Sequence, residues 1–173
     1  YNVNIELPQN SDEFSFSVAR LWNEVLLFSI RNDLARPTVH ARNLFHTSAA
    51  MYDAWSIVNQ QGSPYLIGNI NNGFESSFSS FSSSENHYEK EINAISYSAY
   101  RIIKHRFLNS PGYNEIINRA NNLMSILGLD INNLNSENYS ENSIALGNYI
   151  AENYIQYGLC LLYTSDAADD DVR

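Results

Sequence analysis

The chain has 173 residues, 44% of them apolar, enough for one globular domain with a sizeable core. A net charge of −9, with only 10 scattered Lys and Arg, excludes the basic stripe that nucleic-acid binding requires. No run approaches the ~20 apolar residues of a membrane helix, and a lone cysteine, Cys160, excludes an internal disulfide and a cysteine-based zinc site.

Residues 1 to 16 lack periodicity and read as an extended lead-in, with a short strand at Val3 to Leu7. Ser17 is an N-cap residue for a first helix reaching about Leu34, with Val18, Leu21, Trp22, Val25 and Phe28 at helical spacing. Leu26, Leu27 and Ile30 widen that apolar face. Pro37 suits the first position of a second helix, because the N–H it lacks would have no partner there. This helix runs to about Asn59, is apolar around most of its circumference, and is expected to be the most core-like element, ended by Gly62-Ser63-Pro64. Tyr65 to Ile67 reads as a short extended piece. Residues 68–84, Gly-, Asn- and Ser-rich with Phe74, Phe78 and Phe81, read as a long loop packed by its own aromatics or a variable insertion.

A third helix is expected from Glu85 to Phe107, with Ile92, Ile95, Tyr100 and Ile103 inward and His87, His105, Lys104 and Arg106 on a solvated face. Ser110-Pro111 opens a fourth, stopped by Gly128. After an Asn-rich turn, Glu137 to Tyr157 forms a fifth. Five helices with little strand predict an all-α helical bundle. Trp22 and Trp55 read as core partners. Asn138-Tyr139-Ser140 matches the glycosylation pattern, a match common by chance.

The last stretch, CLLYTSDAADDDVR from Cys160 to Arg173, passes from an apolar run to four aspartates without a turn signal. It resembles the translation of a sequencing adapter, so residues 17 to 159 are read as the natural helical region and residues 160 to 173 as a non-native tail. Without that tail the net charge is −6.

Polar residues concentrate in the second helix, in RPTVHARNLFH from Arg36 to His46. At ~100° per residue, Arg42, His46 and Asp53 fall within about 40° of one another on an otherwise apolar helix, while His40 lies on a different face. Two readings fit this line. In the first, Asp53 orients His46 as carboxylates orient catalytic or ligating imidazoles. In the second, the three form a buried polar seam whose charges are tolerated because they are paired. A zinc site is not expected, since the six-residue spacing of His40 and His46 is not the i, i+4 arrangement.

The stretch Ala19 to Trp55 resembles the N-terminal helical part of vanadium-dependent haloperoxidase-like proteins. These belong to the superfamily of type 2 phosphatidic acid phosphatases and bacterial acid phosphatases. Trp22-Asn23, then Arg36, Pro37 and Thr38 with His40, then Arg42 and Asn43 leading to Met51-Tyr52-Asp53-Ala54-Trp55, carry the match. Ala145 to Gly158 is similar to a later helix of the same proteins. The resemblance implies a secreted or periplasmic protein that, when complete, binds vanadate and oxidises halide with peroxide, or hydrolyses phosphate esters in the same pocket. It also implies that catalysis rests on three motifs: Lys, six residues, Arg-Pro; Pro-Ser-Gly-His; and Ser-Arg, five residues, His, three residues, Asp. None occurs here: the residue seven before Arg36 is Ser29. The expectation is therefore a fragment with no catalytic residue and no metal ligand of its own, whose partner is the missing C-terminal half of its domain. A non-catalytic helical binding or structural module is the alternative.

Overall fold

The computed structural model describes residues 17–165. The lead-in, the strand at Val3 to Leu7 and the last eight residues lie outside the described residues. Five helices account for most of the rest: α1 (Val18–Arg31), α2 (Pro37–Asn59), α3 (His87–Arg106), α4 (Tyr113–Ile126) and α5 (Ser143–Ser165). A two-residue hairpin, β1 (Ile70–Asn71) and β2 (Phe74–Glu75), pairs antiparallel with Ile70 opposite Glu75. The fold is an all-α bundle.

The helices begin where their first residues dictate. The Ser17 side chain caps α1 by accepting from the Arg20 N–H. Pro37 stands at the start of α2, and Arg36 before it reaches back to Asp33 at 2.9 and 3.2 Å. Burial alone would raise the Asp33 carboxyl, but the Arg36 contact and neighbouring hydrogen bonds hold it below the ordinary value. Asn86, not Glu85, caps α3 by accepting from the Tyr88 N–H at 2.9 Å. Gly128, at φ +71, ends α4 in a conformation that favours glycine.

The most deeply buried element is α3, not α2. From Ala94 to Tyr100 every residue is buried, followed by Ile102 and Ile103. The run alternates large rings with Ala94, Ser96, Ser98 and Ala99, small residues that let α1, α2 and α5 approach its axis. On α5, Gly147 sits so close that a Cβ would stand 2.7 Å from the Ala94 carbonyl oxygen. By contrast, α2 leaves Leu44, Phe45 and Tyr52 on its outer side, 38 to 46% exposed. Trp22 is fully buried: its Nε1–H donates to Ser96 Oγ at 3.0 Å and its ring meets Tyr100 edge-on. Trp55 is only half-buried and stacks against Tyr52, so the two tryptophans are not a pair.

Two loops depart from expectation. The segment from Gly68 to Ser84 is not packed on itself. Phe74 lies against Tyr157, Phe78 stacks on Tyr139, and Phe81 is buried in the core. Asn72 donates to the Tyr157 hydroxyl, Ser76 to Asn153 Oδ1, and the Tyr149 hydroxyl to the Ser77 carbonyl. The segment is a strap laid across α5. Residues 137–142 are turn rather than helix, because the preceding asparagines fold back on the chain: Asn133 and Asn135 side chains accept the Asn135 and Glu137 N–H groups. Asn142 then accepts from Ala145 N–H at 2.8 Å, a capping bond. At the other end α5 does not stop at Tyr157 but continues to Ser165.

Candidate functional site

The polar line of α2 runs through the bundle interior. His46 is 1% exposed and Asp53 fully buried, while Arg42 is half-buried. Nothing joins the three directly; each end of the line has its own partners.

At the C-terminal end the Asp53 carboxylate receives four hydrogen bonds. Backbone N–H groups of Tyr65, Leu66 and Ile67 donate at 2.5, 3.0 and 3.2 Å, and the Tyr154 hydroxyl of α5 donates at 3.0 Å. The Tyr65–Ile67 segment is thus a turn wrapped over a carboxylate, not an extended piece. Burial raises the Asp53 carboxyl above its ordinary range, and the four donors pull it back. Burial and the neighbouring carboxylate push the Tyr154 phenol far up, so it remains a donor. Asp53 therefore fixes the chain after α2 and ties it to α5. It does not orient His46.

At the N-terminal end the His46 Nδ1 is 2.8 Å from Arg106 Nη2, at the last position of α3. The guanidinium has only N–H donors, so Nδ1 is the acceptor and the ring proton sits on Nε2. Burial, then the charges of Arg106 and Arg42, push His46 down to about 4, and it is neutral at pH 7. Its ring lies among Phe45, Tyr154 and Tyr157. Arg106 belongs to this buried cluster and not to the solvated face that its charged neighbours suggest. Its position three and four residues after Ile103 and Ile102, on the inward face of α3, is the sequence signal that locates it.

The remaining polar residues of the stretch scatter. Arg36, Pro37 and Thr38 are exposed at the helix start. His40 Nε2 meets the Leu34 carbonyl at 2.8 Å, away from His46. Asn43 is buried with its Nδ2 unbonded, for which the structure offers no physical account. His87 contacts Asn59 Oδ1 at 3.1 Å, and His105 is exposed. Among the described residues no group of three or more His, Cys, Asp or Glu side chains is placed to hold a metal, and no helix is long and apolar enough to cross a membrane.

One cleft of about 350 Å³ lies between α1, α2 and α3, lined by Asn23, Met51, Tyr52, Trp55, Glu91 and Ile95 among others. The Glu91 carboxylate already accepts from Asn59 Nδ2 at 3.1 Å, and the cleft holds no nucleophile–base pair. What the arrangement provides chemically is support at Asp53 and a guanidinium–imidazole contact at His46. Comparison with models of known families, with characterised proteins and with solved structures finds no match to this chain.

Proposed function

We propose that this chain is the N-terminal helical scaffold of a vanadium-dependent haloperoxidase-like domain, inactive alone, whose chemistry belongs to motifs outside this sequence. The observation that carries the reading is the string Ala19 to Trp55, which presents Trp22-Asn23, Arg36-Pro37-Thr38 and Met51 to Trp55 in the order seen in that family. The conduct of its polar residues agrees with a scaffold. Asp53 is spent on backbone donors, Arg36 on Asp33, and His40 on a carbonyl.

His46 does not fit vanadate bonded through its ring. His46 has its Nδ1 lone pair committed to Arg106 and its proton on Nε2, so neither ring nitrogen is free to bond a metal. No step through vanadate is assigned to this chain.

The test is a parallel assay of residues 1 to 173 and of the complete reading frame, each with vanadate, peroxide and bromide. Bromination by the complete protein alone is the expected result. Phosphate-ester hydrolysis without bromination would move the reading to the phosphatase branch. A complete frame that lacks the Arg-Pro, Pro-Ser-Gly-His and Ser-Arg motifs overturns the enzyme reading and leaves a helical binding or structural module.

A further inference from the structure

The cleft between α1, α2 and α3 combines an apolar floor, an aromatic rim and one carboxylate. Its floor belongs to the core, since Val18, Met51 and Ile95 are all buried. On its α2 side Tyr52 and Trp55 present neighbouring rings, with centroids 6.0 Å and planes 32° apart. The Tyr52 hydroxyl packs against Gly62, where a Cβ would stand 2.6 Å from its oxygen, and φ +71 at that glycine disfavours any side chain. At about 350 Å³ the cleft falls within the size range of ligand pockets, roughly 300–1,000 Å³.

From α3 the half-buried Glu91 enters the same cleft. Its carboxylate is positioned by Asn59. The Asn59 Nδ2 donates to the Trp55 carbonyl at 2.9 Å and to Glu91 Oε2 at 3.1 Å, while Asn59 Oδ1 lies 3.1 Å from His87 Nε2. The amide therefore ties the carboxylate to the turn of α2 that carries Trp55. Its donor is neutral, so the negative charge is kept, and Oε1 makes no hydrogen bond among the described residues. Among the described residues that line the cleft, Glu91 alone is charged.

We propose that this cleft binds an organic cation, an ammonium group carried on an aryl or alkyl body. The ammonium donates to Glu91 Oε1 in a charge-assisted bond and lies against the Trp55 and Tyr52 rings, whose faces attract a cation. The body covers Val18, Met51 and Ile95. An anion of the same shape meets a like charge, and a neutral analogue gains the floor but not the ion pair. The inference does not rest on the family reading, because it uses no oxyanion-binding residue.

The experiment titrates the 173-residue chain with 2-phenylethylammonium, its neutral analogue 2-phenylethanol and the anion phenylacetate. The indole N–H resonances of the two tryptophans are the readout. Trp55 lines the cleft, whereas Trp22 is fully buried and bonded to Ser96 and serves as the internal reference. The expected result is a saturable shift of the Trp55 resonance with the cation, a weaker one with 2-phenylethanol and none with phenylacetate. In Glu91→Gln, which still accepts from Asn59, the dissociation constant for the cation should rise about tenfold or more while that for 2-phenylethanol stays the same. Tyr52→Leu, at a half-exposed position, should weaken the cation about two- to fivefold and keeps the test alive if Glu91→Gln does not fold. Equal affinity for the cation and 2-phenylethanol, an affinity for the cation unchanged in both variants, or no saturable shift of the Trp55 resonance overturns the proposal.

Discussion

The two ends of α2's polar line solve the same problem in opposite ways. At Asp53 a buried charge is met by four donors from the next loop and from α5, and nothing is left over. At the other end Arg106 donates to one neutral imidazole, and its Nε–H is buried without a partner. Burial is expensive for both signs of charge, so the first end reads as finished architecture and the second as an open valence. A single helix thus carries a closed polar site and an open one about two turns apart.

Removing the closed end should have the largest effect. Asp53→Ala orphans three backbone N–H groups and the Tyr154 hydroxyl at once, and urea unfolding should show a loss of about 3–5 kcal/mol. Retention of stability within ~1 kcal/mol would show that the Tyr65–Ile67 turn does not depend on that carboxylate.

The pH dependence probes the open end. His46 binds its proton near pH 4 in the folded chain and near 6.5 when unfolded, so between these values the unfolded state holds more protons. Stability contributed by the neutral ring is complete above pH 6.5 and lost as pH falls towards 4, by on the order of 3 kcal/mol. Asp53, raised in the folded state, acts with the opposite sign, since its protonation on acidification favours the fold. The comparison is therefore wild type against His46→Gln, which cannot titrate and still accepts from Arg106. The difference between their stabilities should change by that amount between pH 7 and 4, and a constant difference would refute the assignment.

Gly158→Ala should cost no more than about 1 kcal/mol, because the new methyl displaces only the end of the Arg106 side chain and alanine favours the helix. Denaturant unfolding measures the cost, and the Arg106 Nε–H resonance should move with it. The smallest effect is expected for Arg42→Ala. With no ion pair to lose among the described residues, its unfolding free energy should stay within ~0.5 kcal/mol of wild type. A loss above ~1.5 kcal/mol would mean that Arg42 is paired in solution and that its end of the line is closed like the Asp53 end.

Much of the bundle was legible in the chain. Ser17 and Pro37 mark the starts of α1 and α2 by local chemistry that no distant contact overrides. The line through Arg42, His46 and Asp53 was visible from helical geometry alone. Its partners were not, because Tyr65, Arg106 and Tyr154 reach it from 12, 60 and 101 residues away. Periodicity places residues on a face without saying what meets that face. The early start expected for α5 failed for a local reason instead: Asn133, Asn135 and Asn142 offer their side chains to the backbone and delay the helix.

The strap across α5 acts as a ruler. Its anchors on the helix, Tyr149, Asn153 and Tyr157, recur every fourth residue and so lie along one stripe. A single residue inserted between two of them turns the rest of the helix by about 100°. The hydroxyl and amide groups would then miss the strap, and Gly158 would swing away from the guanidinium. The rotational setting of α5 is therefore written twice, once in the strap that grips its outer side and once in the glycines that face α3. A length change within this helix disturbs both settings at once.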